Sequence, residues 1–247
     1  MHEEQNSAAG NSPPRHHIET TDRNKVEEAY YHWLEVYFDK TNKSEISDLF
    51  YGHTVDTTTC LKCTKTKYAF GYFNSMALHI SDKESKAISA QDLVDHYFQE
   101  EHIDDFKCDF CKRNVTIVKR SHLYKFPEVL LLFFKRFDYG IYGNSPRKLR
   151  TKIILPLNIR LNNLAYNVGQ NADYVLTGAV NHYGMINSGH YTATCEKNGK
   201  WVGFSDALAV DEHVDDLVKY GSENVYLCSY AKVQKQSSAY NSGFSYR

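Results

Sequence analysis

The amino-acid sequence predicts an α+β fold, and three observations carry that reading. One N-terminal stretch repeats apolar residues at helical spacing, most later apolar runs are short and alternating, and the turns between them carry Gly, Asn and paired Cys residues. At 247 residues, with 42% hydrophobic and 24% charged side chains, the chain is long enough to bury one extended core. Its 19 Tyr and 13 Phe make that interior, or a binding surface, unusually aromatic.

Taken in order, Gln5 to Arg23 is rich in Ser, Asn, Pro and His, so residues 1–23 are expected to form a mobile surface segment. Asn24, with Glu27 three residues on, is the expected N-cap of an amphipathic helix carrying Val26, Tyr30, Trp33, Leu34, Tyr37 and Phe38 at helical spacing. Short helices are expected at Ser44 to Phe50 and Ser89 to Glu101. Strands are expected at His53 to Thr59, Thr66 to Phe73, Val115 to Tyr124, Val129 to Phe137, Tyr174 to Val180, Tyr191 to Glu196 and Lys200 to Phe204. Residues 234–247, mostly Ser, Asn and Tyr, read as a disordered tail.

Composition argues against several functions. With 29 basic and 30 acidic side chains the formal charge is -1, which is not the electrostatic footprint of a nucleic-acid binder. No apolar run is long enough to span a bilayer, and the N-terminus lacks the basic start and apolar stretch of a signal peptide. A cytoplasmic or nuclear location is expected, without nucleic-acid or membrane partners. In such a reducing compartment six cysteines read as metal ligands, buried thiols or nucleophiles rather than disulfides.

Cys60-Leu61-Lys62-Cys63 and Cys108-Asp109-Phe110-Cys111 are two C-x-x-C knuckles, and two such turns can supply four thiolates to one zinc ion. Residues 64–107 separate them, more than a compact zinc ribbon uses, so two hairpin tips must be brought together by a larger sheet. Four thiolates leave no open coordination position, so the expected single zinc is structural. Buried free thiols or a redox pair are the alternative.

The second constellation runs from Asn181-His182-Tyr183-Gly184 through Ser188-Gly189-His190-Tyr191 to an Asn198-Gly199 pair and the segment Trp201 to Asp206. Asn-Gly is a strong two-residue hairpin signal. If it forms the turn, Lys197 faces Lys200, His190 faces Ala207, and Ser205 is a diagonal neighbour of His190 while Asp206 turns to the face of Tyr191. A bulge would exchange Ser205 and Asp206. A histidine oriented by a polar partner beside open glycines suits a general base for a thiol or hydroxyl nucleophile; a satisfied core histidine is the bland alternative.

These residues resemble the ubiquitin-specific proteases, papain-like cysteine proteases that cleave after the C-terminal glycine of ubiquitin. Phe126 to Phe137 is similar to that family's LPxVLxxxLKRF segment, and NHYGMINSGHYTATC to its NHYGxxxGGHYTAYC segment. Ile46 to Gly52 resembles the stretch before the first knuckle, and Tyr226 and Tyr230 echo the closing YxLFY strand. The resemblance implies zinc-binding fingers at about 53–124 and an antiparallel β palm at about 125–233, together a partial catalytic domain over 24–233 with the helical thumb largely missing. It implies His190 as catalytic base, Ser205 or Asp206 as its orienting partner, and Tyr183, Gly189 and Tyr191 as ubiquitin-binding residues. Ubiquitin or ubiquitinated proteins are the implied partners, with a separate N-terminal half as another.

Two departures from the family pattern matter. No GNTCYMN-like box carrying the nucleophilic cysteine and no QQDAHEFL-like box occurs in these residues, and Met1-His2-Glu3-Glu4-Gln5-Asn6 resembles the LHEDLN that follows the second box. The chain is therefore expected to begin partway through the domain and to be inactive alone, with a non-catalytic ubiquitin-binding module as the alternative function. Where the family has WYxFDD, this chain has Trp201-Val202-Gly203-Phe204-Ser205-Asp206, which puts an uncharged serine in the orienting slot. Cys195 lies five residues after His190 and so on the other face of a regular strand, roughly 16 Å along it, and Cys228 sits in an expected core strand.

Overall fold

The computed structural model describes residues 17–20, 22–81, 86–139, 145–162, 164–167, 170 and 172–234. Strand β1 (His17–Glu19) precedes helix α1 (Arg23–Trp33), which continues through a π-helical stretch (Leu34–Phe38) into a last turn (Asp39–Asn42). Helix α2 (Glu45–Phe50), β2 (Gly52–Cys60), β3 (Thr66–Phe73), β4 (Met76–His79), β5 (Ile88–Ser89), α3 (Ala90–Tyr97), β6 (Glu101–Lys107), β7 (Asn114–Lys125) and β8 (Val129–Lys135) follow. The chain then forms β9 (Phe137–Asp138), β10 (Arg147–Lys148), β11 (Ile153–Ile154), β12 (Asn158–Arg160), β13 (Asp173–Met185), β14 (Ser188–Lys197), β15 (Lys200–Ser205), β16 (Leu208–Glu212), α4 (Asp215–Lys219) and β17 (Val225–Lys232). None of the described helices is long and apolar enough to cross a membrane.

The strands gather into two principal sheets. The first has the order β1-β3-β2-β7-β6 and the second β16-β15-β14-β13-β17-β8-β4, with β12 against β13. Each has its own core. Val26, Tyr30, Trp33 and Phe38 of α1 and its extension pack on Val55 and Phe70 of the first sheet. Leu130, Leu132, Phe134, Tyr174, Leu176, Cys228 and Tyr230 of the second sheet pack with Leu93, Val94 and Phe98. Strand β7 joins the two, with Ile117 paired to Cys60 near one end and Leu123 in the larger core near the other.

Arg136, at the end of β8, is fully buried. Its guanidinium donates to the carbonyls of Val225, Leu149, Thr151 and Ser222, tying three chain segments together. Burial lowers its pKa to about 10, and Glu223 opposes that shift.

The structure corrects the sequence reading at several ends. Residues 17–19 of the segment expected to be mobile pair with Ala69, Tyr68 and Lys67, because Ile18 finds the aromatic core and β3 offers a free edge. Residues 1–16 and the tail beyond 234 lie outside the described residues. The N-cap of α1 is Asp22, whose carboxylate accepts from the Asn24 N–H at 3.0 Å; Asn24 is already inside the helix. Helix α3 stops at Tyr97, and Glu101 opens β6 instead of closing the helix. The helix expected at Ser44 to Phe50 is α2, with Ser44 as its N-cap and a reciprocal bond from the Ser44 N–H to Ser47 Oγ.

Candidate active site and metal centre

Hairpins β2–β3 and β6–β7 place the four knuckle cysteines together because β2 and β7 are neighbours in the first sheet. The two turns are built alike. Cys60 N–H bonds the Lys65 carbonyl and Thr64 N–H the Cys60 carbonyl; Cys108 N–H bonds the Arg113 carbonyl and Lys112 N–H the Cys108 carbonyl. Thr64 at φ 59° and Lys112 at φ 55° take the left-handed conformation that aims both cysteines of each knuckle inward. All four sulfurs lie within 4.8 Å of one another, with Cys60–Cys111 at 4.0 Å and Cys63–Cys108 at 3.8 Å. Ligands about 2.3 Å from a tetrahedral ion would sit about 3.8 Å apart, so this cluster fits a four-thiolate metal site. Phe110 carries Lys65 over its ring at 4.8 Å, and Lys67 pairs with Asp109 and Glu19, which braces the second knuckle against β3.

The hairpin β13–β14 carries the histidine. Tyr183 pairs with His190, His182 with Tyr191 and Gly184 with Gly189. Beyond the Asn198-Gly199 turn, at φ 54° and 80°, Lys197 pairs with Lys200 and the ladder runs to Ala193–Phe204, in the register expected from the sequence. It ends there. Asp206, at φ 50°, and Ala207 turn the chain into β16, so Ala207 does not face His190 and Ser205 pairs with Leu208 instead. The side chain of Ser205 nevertheless reaches back, and its Oγ lies 2.8 Å from His190 Nε2. Asp206 is exposed in the turn.

The structure separates the two tyrosines. Tyr183, 47% exposed, shares the His190 face, while Tyr191, 51% exposed, lies on the other face and packs on His182 and Tyr226 at 4.7 and 5.8 Å between ring centroids. Gly189 is held between these faces, and a Cβ there would overlap the His182 ring and the Tyr183 carbonyl. His182 is the residue the sequence reading passed over. Its ring is buried between Phe137 and Tyr191, its backbone N–H donates to the Asn224 carbonyl at 2.8 Å, and its backbone carbonyl accepts from Lys148 Nζ. Burial, with Lys148 close by, lowers its pKa below the usual imidazole range. The signal available beforehand was period-two alternation, which places His182 beside Gly189 and Tyr191.

Cys195 pairs with Gly178 and Val202, well along β14 from His190, and Cys228 is buried in β17, where desolvation raises its pKa strongly. Neither sets a thiol beside the imidazole. A groove of about 330 Å³ opens next to Ser205, lined by Tyr183, Thr192, Phe204, Leu208, Val210 and Glu212 among others.

Residues 15–240 match the family model described as ubiquitin carboxyl-terminal hydrolase, and the chain belongs to that family. It is 31% identical over 176 residues to ubiquitin carboxyl-terminal hydrolase 2 of Gallus gallus, covering 69% of this chain and 49% of that protein. It is 28% identical over 199 residues to ubiquitin carboxyl-terminal hydrolase 8 of Saccharomyces cerevisiae, covering 75% of this chain and 41% of that one. Among solved structures it resembles the SAGA Ubp8/Sgf11/Sus1/Sgf73 DUB module bound to ubiquitin aldehyde, with a TM-score of 0.68 and 25% identity over 85% of this chain and 47% of the matched one. The fold is thus that of a ubiquitin-specific protease domain, and the chain spans less than half the length of these relatives.

Proposed function

We propose that this chain forms the fingers, about 53–124, and the palm, about 125–233, of a thiol-dependent deubiquitinase that binds ubiquitin and hydrolyses the bond after its C-terminal glycine. The observation that carries the reading is the His190–Ser205 contact of 2.8 Å beside an open groove. With Nε2–H donated to Ser205 Oγ, the lone pair of Nδ1 is free to take a proton from a thiol, and the imidazolium then returns it to the departing lysine amine. Ser205 orients the ring but brings no negative charge to the imidazolium, so this base is weaker than one held by a carboxylate. Asp206 is the reserve orienting group if the turn rearranges. Tyr183, Gly189 and Tyr191 are proposed to meet ubiquitin.

Cys60, Cys63, Cys108 and Cys111 are proposed to hold one structural zinc ion, which supplies no chemistry to the reaction. Among the described residues no thiol stands beside His190, which supports the proposal that the nucleophile is supplied by a longer form or by a separate N-terminal half and that these 247 residues alone are inactive. We place the protein in the cytoplasm or nucleus. The uncharged Ser205 favours a second reading, a ubiquitin-binding module without turnover.

The test is turnover of a ubiquitin C-terminal amide reporter by the zinc-loaded chain, alone and mixed with a cysteine-bearing thumb segment from a relative. Silence alone and activity in the mixture, lost in His190→Ala, supports the protease reading. Ubiquitin binding without activity in either arrangement supports the module, and turnover by the chain alone that disappears in Cys195→Ala overturns the placement of the nucleophile elsewhere.

A further inference from the structure

We propose that β16, with the groove behind it, docks an extended basic segment of a partner polypeptide by strand addition. Among the described residues β16 is the outermost strand of the second sheet and pairs only with β15. All five of its residues are exposed, with Leu208 at 70% and Val210 at 60%. Because Asp206 and Ala207 form a two-residue turn, Ser205–Leu208 is the closing pair, and hydrogen-bonded pairs alternate from there through Gly203–Val210. The N–H and C=O groups of Ala209 and Asp211 therefore point away from β15, and free edge groups beside apolar side chains are a template for another strand.

The side chains on this edge state what the added strand should be. Leu208 and Val210 share the groove face with Tyr183 and Thr192, so alternate residues of the incoming segment should be apolar. Glu212 is engaged in the same groove, accepting from Thr194 Oγ1 at 2.7 Å. Residues 206–216 carry Asp206, Asp211, Glu212, Asp215 and Asp216 and no Lys or Arg. None of those four aspartates forms a salt bridge among the described residues. Asp215 and Asp216 lie in the first turn of α4, where the helix dipole accounts for them; Asp206 and Asp211 flank the open edge itself. Lys197 and Lys200 sit at the opposite end of β15. A second copy of β16 would bring two acidic edges within one strand spacing, about 4.8 Å, whereas Lys or Arg at alternate positions would neutralise them. The docking does not require His190 to be catalytic, so it stands or falls apart from the proposed protease activity.

The experiment is fluorescence anisotropy of the zinc-loaded chain with the labelled peptide Lys-Val-Lys-Val-Lys-Val-Lys and its Glu-Val counterpart. Saturable binding of the basic peptide, weakened by salt, is expected. Ala209→Pro removes an outward N–H without touching the β15 ladder and should weaken binding about tenfold, as should Asp211→Lys by charge. Circular dichroism and metal content establish that each variant is folded, and either variant alone suffices for the test. No binding of the basic peptide, equal binding of the acidic peptide, wild-type affinity in both variants, or a concentration-dependent dimer abolished by Ala209→Pro would each overturn the proposal.

Discussion

The hydroxyl of Tyr30 and Nδ1 of His53 meet at 2.7 Å inside the aromatic core between α1 and the first sheet. Trp33 and Phe38 close around the same imidazole, with centroids 5.4 and 4.5 Å away, and among the described residues His53 Nε2 has no partner and nothing compensates a positive ring. Burial first, and Lys125 second, lower the pKa of His53 to about 3.

That burial makes the fold acid-sensitive. Between the ordinary imidazole value in the unfolded chain and about 3 in the folded one, the unfolded state binds more protons, so stability rises with pH. The contribution is fully present above neutral pH, begins to fall near pH 6.5, and is exhausted below about 3. Urea unfolding across this range should show a slope of up to about 1.4 kcal/mol per pH unit from this residue. His53→Phe should flatten it; an unchanged slope in the variant would place the acid sensitivity elsewhere.

Arg136 should be among the most costly positions to truncate. Its guanidinium serves four backbone carbonyls from two other segments in a site closed to water. Arg136→Ala leaves those acceptors unpaired and opens a cavity, and a loss of about 4 kcal/mol or more in chemical denaturation is expected. Arg136→Lys should recover little of it, since an ammonium cannot span the fork.

Ser205 can be tested where a complementing segment restores turnover. Ser205→Ala removes the group 2.8 Å from His190 Nε2 and should lower kcat about tenfold with little change in KM, since an orienting bond acts on the chemical step. Ser205→Asp should raise kcat above the wild-type value. If both variants match the wild type, Asp206 is the orienting residue.

Metal removal should reach beyond the knuckles. Exhaustive chelation, or Cys111→Ser, should lower the melting temperature by about 10 °C or more and raise amide exchange in β2 and β7 near the cluster. Metal analysis of the wild-type chain should find one equivalent of zinc. A chain that melts identically with and without metal would leave the cluster as four ordinary thiols.

Much of this was legible because local signals and burial agreed. The alternation of Thr66 to Phe73 matches β3, and Asn198-Gly199 sets the β14–β15 register. Strand β6 was not legible because five of its seven residues are acidic or basic surface groups, and its register shifts around Asp105, at φ 55°. Strand β16 has no buried residue to impose a pattern. At the site, the pairing of Ser205 with His190 followed from neighbouring positions on two strands, and period-two alternation puts His182 on the face of Gly189 and Tyr191, but its ring contact with Phe137 comes from packing across strands that spacing does not encode. The cap at Asp22 was missed because Asp22 and Asn24 are both competent caps, and only the extended backbone at Asp22 distinguishes them.

The separation between the knuckles gives the metal centre a topological weight. Residues 64–107 include β4, α3 and its C-cap Phe98, and Met76, Leu78, Leu93, Val94 and Phe98 belong to the core of the other sheet. An ion joining Cys63 to Cys108 would close that whole excursion into a ring and, like a disulfide across about 45 residues, would remove about 4 kcal/mol of freedom from the unfolded chain. With such an ion bound, the cluster at the tip of one sheet would act as a distant crosslink for the sheet that carries His190, holding its folded state without touching it.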